Sequence, residues 1–268
     1  GLKMTNNKQE ESFMPQGKVG SSAWIEQFLH YSRSNPGSDT EQLLFQAMNT
    51  DSLTQVLSRG GIDHIVEEIE QTKTPTGVLF LDLMGFKEVN DYEGHAAGDQ
   101  VLTYTADTLA KVFRTGHKGD RRTSPKSIDL ERRNQDRRAY ALDEDIVFRK
   151  LTEDSNLGRY GGDEFMVLLP RVQTYKALEN IGFRVVNAMN EDSDCQPSSI
   201  GGALYIPGKT NVEETISHAD KAMYEIKERL KLDQSARELD RSESGLGIFL
   251  DDAIKTYLPA EIKAKLVA

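Results

Sequence analysis

The chain of 268 residues is 37% hydrophobic and 28% charged with a formal net charge of -10, the profile of an ordinary soluble globular protein. That acidic balance excludes a general nucleic-acid binder, which needs a basic face to replace phosphate counterions. No segment approaches the roughly 20 consecutive apolar residues of a membrane span, so no direct membrane insertion is expected. The lone cysteine, Cys195, cannot form an intramolecular disulfide and fits a reducing compartment, so the expected location is the cytoplasm. No secretion leader is expected, and the start at Gly1 without a methionine reads as a processed or cloned fragment from which a sensor or membrane domain could be missing.

Residues 1–20 are polar and rich in Gly and Ser, and read as a tail. Trp24, Ile25, Phe28 and Leu29, then Leu43, Leu44 and Met48, recur at helical spacing on either side of Asn35-Pro36-Gly37, predicting two short amphipathic helices. Residues 1–50 thus form an N-terminal segment. Asp51-Ser52-Leu53-Thr54 can cap a following helix. Gly77-Val78-Leu79-Phe80-Leu81 is a buried strand by length and residue type, ending on Asp82. A helix is predicted over 97–113, with Val101, Leu102, Ala106, Leu109 and Val112 on one face. Residues 115–145 then lose all periodicity. Within them, 116–139 hold eight Lys and Arg against four Asp and Glu, so a basic insertion sits in an otherwise acidic chain.

Order resumes at Ile146-Val147-Phe148. Arg159-Tyr160 leads into Gly161-Gly162, and Phe165-Met166-Val167-Leu168-Leu169 leads out, which reads as a β-hairpin. A helix over 175–189 and a strand over 200–206 follow. Asn211 with Glu214 makes a capping-box-like start to a last long helix, whose buried stripe is Ile216, Ala219, Met223, Ile226 and Leu230. Residues 232–268 read as a polar linker and a helical extension broken at Pro259. Alternating strands and helices give an α/β or α+β sandwich, one sheet covered by helices.

Asp82 ends one buried strand, and Asp163-Glu164 occupies the tip of a hairpin in the same sheet. Adjacent strands would bring three carboxylates to one edge. Such convergence is costly without a cation. Oxygen-rich sites of this kind suit Mg²⁺, which takes one or two protein carboxylates and completes its shell from phosphate and water. An isolated Gly-Gly-Asp, by contrast, is usually only a tight turn. The turn around Gly85 offers backbone N–H groups to phosphate oxygens. Asn90 and Asp99 flank the start of a helix and could read a base edge, since a carboxylate accepts the two adjacent N–H donors of guanine. The plainer alternatives are a loop turn and a first-turn acid favoured by the helix dipole. Asp220, Tyr224, Lys227 and Lys231 share one helical face, whose two lysines could grip a triphosphate or which is an ordinary solvated face.

Together the blocks resemble a known family. Asp51-x-Leu-Thr, Asp82 through Phe86-Lys87-x-x-Asn90-Asp91-x-x-Gly94-His95-x-x-Gly98-Asp99, Arg159-Tyr160-Gly161-Gly162-Asp163-Glu164-Phe165, Ser199-Ile200-Gly201 and Ala219-Asp220-Lys221-Ala222-Met223-Tyr224-x-x-Lys227 follow the order of the GGDEF diguanylate cyclases. The resemblance spans residues 51–231 apart from the insertion. It implies a palm-like nucleotidyl cyclase fold with a mostly antiparallel sheet, and condensation of two GTP to cyclic di-GMP and pyrophosphate by a homodimer of half-sites. It implies Mg²⁺, with Mn²⁺ as a substitute, held by Asp82, the Leu83 carbonyl, Asp163 and Glu164. Glu164 would hold metal or help take the proton. Asn90 and Asp99 would read guanine, while Phe86, Lys87, Lys227 and Lys231 would hold phosphates.

Four departures stand out. Met84 replaces the usual Asp or Asn, and Leu230-Lys231 replaces Gly-Arg, exchanging a bidentate fork for a point charge. Leu53-Thr54-Gln55-Val56-Leu57-Ser58-Arg59 replaces Leu-Thr-Gly-Leu-x-Asn-Arg. Thr152-Glu153-Asp154-Ser155 stands where product-inhibited relatives often carry Arg-x-x-Asp, so the usual inhibitory site is absent. An Arg133-Asn134-Gln135-Asp136 occurs in the insertion, displaced from that place. Arg132, Arg133, Arg137 and Arg138 are read as charge clustering, with an anion or an acidic partner as the alternative. Catalytic activity is expected to be retained. A silent module that binds GTP or cyclic di-GMP and signals by contact is the competing expectation, and a scaffold acting through the insertion is a third.

Overall fold

Strand β1 (Thr76–Leu83) lies at the heart of the sheet, and every one of its positions is buried. It is an apolar run because it is paired on both edges and covered on both faces. The structure, a computed structural model, describes residues 48–113, 155–236, 243–250 and 252–259, together with Trp24, Glu26, Gln27 and His30. Trp24 is buried and helical, while Met48 is largely exposed. The Arg-rich insertion, with Arg132, Arg133, Arg137 and Arg138, lies outside the described residues, as do residues 146–148 and 152–154.

The remaining elements follow in order: α1 (Arg59–Thr72), β1, α2 (Phe86–Glu93), α3 (His95–Phe113), β2 (Asn156–Arg159), β3 (Glu164–Pro170), α4 (Tyr175–Glu191), β4 (Ser198–Tyr205), α5 (Val212–Ala236), β5 (Gly245–Leu250) and β6 (Ala253–Tyr257). The strand order is β2-β3-β1-β4-β5-β6. All neighbouring pairs are antiparallel except β4 with β5. The fold is therefore mixed α/β, with a mostly antiparallel sheet flanked by helices, as expected.

Alternation along the strands sorts the core into two layers. Leu79, Leu81, Phe165, Val167 and Ile200 face α3 and α4, against Leu102, Leu109, Ile181 and Val185. Val78, Phe80, Met166 and Ala203 face α1 and α5, against Ile62, Ala219, Ala222 and Met223. The stripe Ala219, Met223, Ile226 and Leu230 is buried as its spacing predicts, and Asn211 Oδ1 accepts from the Glu214 amide at 2.6 Å to open α5.

Two expectations need correction. Asp51 does not cap a helix. Its Oδ1 accepts from the Thr54 amide and hydroxyl at 2.8 and 2.6 Å, closing a separate turn. The helix begins only at Arg59, where Ser58 Oγ accepts from the Gly61 amide at 3.3 Å. Past the end of α5 at Ala236, the C-terminal extension forms strands rather than the expected helices over residues 245–257. Residues 245–250 add parallel to β4 and 253–257 fold back antiparallel as β6, with Asp252 left-handed at φ 65° in the turn. The reason lies in the run Gly-Leu-Gly-Ile-Phe-Leu, which is strand-length and buried almost throughout. With α5 as the crossover, it extends the sheet as a βαβ unit does.

Candidate functional site

Register places three polar residues in one row across the sheet. Asp82 on β1 pairs with Glu164 on β3 to one side and with Ser199 on β4 to the other. Directly paired residues share a face, and this face is the one α5 covers. From α5, Lys227 donates through Nζ to Asp82 Oδ2 at 2.8 Å. That reach depends on Gly201. A Cβ there would lie 2.0 Å from the Ala219 carbonyl oxygen and 2.3 Å from the Met223 nitrogen, so only glycine lets α5 lie this close to β4. Asp82 is 4% exposed, and its Oδ1 has no hydrogen-bond partner.

The hairpin turn is fixed by its own backbone. The amides of Tyr160 and Gly161 donate to the Glu164 carbonyl at 2.8 and 3.3 Å, and the Leu83 amide donates to the Asp163 carbonyl at 3.3 Å. Arg159 braces the turn, donating from Nε and Nη2 to the Gly162 carbonyl at 3.1 and 2.7 Å. Its Nη1 also reaches Asp51 Oδ1 at 3.5 Å. Asp163-Glu164 is thereby carried to the end of β1.

Crowding shows in the protonation of these acids. Burial, and then the charge of Asp82, hold Asp163 above the usual carboxylate range. Glu164 is raised by burial and by the charges of Asp82, Asp163 and Asp220. Asp220 on α5 is raised by burial and by Asp82. Four carboxylates thus share one edge with Lys227 and Arg159. Among the described residues no group of three or more His, Cys, Asp or Glu side chains is placed to hold a metal ion by itself. The donor set still fits Mg²⁺, which needs one or two protein carboxylates beside phosphate and water. The buried, partnerless Oδ1 of Asp82 is the observation that favours the fit, since a buried carboxylate oxygen calls for a partner.

The base-reading candidates lie at the corner of α2 and α3. A Cβ at Gly98 would sit 2.1 Å from Asn90 Oδ1, so this glycine lets the two helices close with the Asn90 side chain between them. Asp99 follows, exposed, in the first turns of α3. Phe86 is half-buried against the core while Lys87 is exposed, both at the N-terminus of α2. A polar cleft of about 790 Å³ runs from Met84, Gly85 and Glu88 past Lys227 and Lys231 to Asn190, Gln196 and Glu243. Lys231 stands in that wall but holds Glu228 at 3.0 Å.

Two departures noted in the sequence turn out to be one. Met84 and Leu230 are both buried and pack with Ile226, and Leu258 from the C-terminal extension lies against them. Met84 stands at the wall of the polar cleft but packs into an apolar contact under α5.

A profile of the family described as "Diguanylate cyclase, GGDEF domain" matches residues 48–122 and 146–231. The chain belongs to the GGDEF family. The matched stretches leave 123–145 between them, within the basic insertion. Among curated relatives of this GGDEF chain, diguanylate cyclase DosC of Escherichia coli (strain K12) is 29% identical over 200 residues, 70% of this chain and 35% of that protein. Diguanylate cyclase DgcM of the same organism is 28% identical over 194 residues, 70% of this chain and 38% of that protein. Cyclic di-GMP phosphodiesterase PdeR, also from that strain, is 29% identical over 193 residues, 67% of this chain and 22% of that protein. The chain therefore spans well under half the length of these relatives. The GGDEF domain of DgcB from Caulobacter crescentus, solved in complex with c-di-GMP, is 22% identical with a TM-score of 0.47. That alignment covers 68% of this chain and 89% of that one.

The structure thus brings Asp82, Asp163, Glu164 and Lys227 to one edge, with the Leu83 backbone tied to Asp163. Asn90 and Asp99 are placed together at a second corner. Sequence reasoning gave no role to Arg159, Asp220 or Ser199, although each lies within a quoted motif block. The i to i+7 spacing of Asp220 and Lys227 signalled the second; strand register, which carries the third, is not local in sequence.

Proposed function

We propose that this GGDEF domain condenses two GTP molecules to cyclic di-GMP. The observation that carries the reading is the buried Asp82 at the end of β1, in register with Glu164 and contacted by Lys227, with one carboxylate oxygen still unpartnered. Two copies would face each other, each holding one GTP. The 3′-oxygen of each nucleotide attacks the α-phosphorus of the other, a P–O bond forms, and pyrophosphate leaves. Mg²⁺, or Mn²⁺ in its place, would neutralise phosphate charge and activate the attacking hydroxyl. Asp82, the Leu83 carbonyl and Asp163 would hold it. Glu164, whose carboxyl burial and neighbouring acids raise, would take up the hydroxyl proton or contact metal. Asn90 and Asp99 would read guanine, and the α2 N-terminus at Phe86 and Lys87, with Lys227 and Lys231, would hold phosphates. Catalysis of this kind is mainly positioning and charge neutralisation.

Incubation with GTP and Mg²⁺ at high protein concentration, followed by detection of cyclic di-GMP, tests this directly. ATP is expected to be a poor substrate, and equal rates with ATP would contradict the Asp99 assignment. A silent GTP-binding module is the second reading, favoured by Met84 making an apolar contact where relatives carry a polar side chain. GTP binding without product would select it.

A further inference from the structure

We infer that Ser199 is a positioning residue for Asp82, an inference that rests on the metal-dependent reading of the site. Ser199 is fully buried, pairs with Asp82 across β1 and β4, and shares its face. Its hydroxyl oxygen has no hydrogen-bond partner, and neither has Asp82 Oδ1. Two partnerless buried polar atoms on directly paired residues are not a chance pair of defects, because each calls for a partner by itself. Glu164 lies on the opposite side of Asp82, and Lys227 takes Oδ2. Ser199 is therefore the hydroxyl that the register sets beside the carboxylate on its free side. Its O–H donates toward Oδ1 through one shared water, which needs no more than two to four polar partners to be held. This fixes the carboxylate plane, keeping Oδ2 on Lys227 and leaving the second lone pair of Oδ1 turned to the metal edge.

Outer partners of this kind typically change metal affinity by about 10- to 100-fold. The test uses full-length Ser199→Ala and Ser199→Thr proteins, with Mn²⁺ as the probe and a non-reacting GTP analogue bound. Mn²⁺ affinity is read by calorimetry or electron paramagnetic resonance, and analogue affinity is measured separately without metal. Ser199→Ala is expected to weaken Mn²⁺ binding about tenfold, leave metal-free analogue binding unchanged, and leave the metal-free melting temperature equal or higher. Ser199→Thr, which keeps a hydroxyl, is expected to recover much of the lost affinity. The inference is overturned if the Ala variant binds Mn²⁺ like wild type, or if Ala and Thr variants lose affinity equally. Wild-type protein that takes up the analogue but no Mn²⁺ would overturn the metal-dependent reading itself, and the inference with it.

Discussion

Asp51, Glu70 and Asp192 each sit where donors are aimed at them. Burial works against ionisation of Asp51, but the Thr54 hydroxyl and amide together with the Arg159 guanidinium outweigh it and lower its pKa. Glu70 is lowered first by the Val212 amide, and Asp192 by the Thr108 hydroxyl at 2.6 Å. At the other end of the scale, Asp163, Glu164 and Asp220 are raised by burial and by one another's neighbourhood to Asp82. The first set joins elements: Glu70 ties α1 to the start of α5, and Asp192 ties the end of α4 to α3. Among the described residues the second set bridges no two elements, and its charges repel one another. Acids that stabilise the fold and acids that await a cation can be told apart by their partners.

The comparison can be broken most forcefully at the crowded edge. Asp163→Ala is expected to lower cyclic di-GMP formation roughly 10³-fold while urea unfolding still shows a cooperative transition. Full turnover in that variant would sink the metal assignment. Gly201→Ala puts a methyl group into the α5 backbone, so a loss of about 1–3 kcal/mol in unfolding free energy is expected, with weaker metal and nucleotide binding as Lys227 is pushed from Asp82. Unchanged stability would show that the close approach is not required.

At the structural edge, Glu179 on α4 accepts from the Tyr257 hydroxyl and from Lys255 at 2.9 Å, fastening β6 to α4. Tyr257→Phe should cost about 1.5 kcal/mol with turnover unaltered, and a drop in turnover would show that the hairpin serves the reaction. The smallest effect concerns pH. Groups with raised folded values lose stabilisation as pH rises through those values, whereas Asp51, Glu70 and Asp192 lose theirs as pH falls below the ordinary carboxylate range. Metal-free protein is therefore expected to become less stable from that range toward neutrality, measured as the urea midpoint. Asp220→Asn should flatten the slope, and an unaltered slope would remove Asp220 from the crowded set.

Local patterning carried much of this. The run ending on Asp82, the turn at residues 161–165 and the α5 stripe were legible because strand length, turn residues and helical period are short-range signals. What was not legible was non-local. Ser199 beside Asp82 requires the β1–β4 register, and the packing of Met84 on Leu230 requires knowing how α5 crosses the sheet. The parallel pairing of β5 with β4 likewise depends on a partner more than forty residues away. The polar stretch after Lys231 masked the apolar run that follows. Lys227 was placed correctly on its helical face, but its contact with Asp82 depends on the closeness that Gly201 permits. The basic insertion and its arginines are not among the described residues, so that expectation stands where the sequence left it.

Arg159 touches no reacting group in the proposed chemistry, yet it grips the Gly162 carbonyl with two nitrogens and Asp51 with a third. The segment around Asp51 is also stitched to β2, with the Leu57 amide donating to Leu157 and the Arg159 amide to Leu57. Mechanically, this makes one guanidinium a linchpin: a tug on the chain ahead of Asp51 is delivered to the tip that carries Asp163 and Glu164.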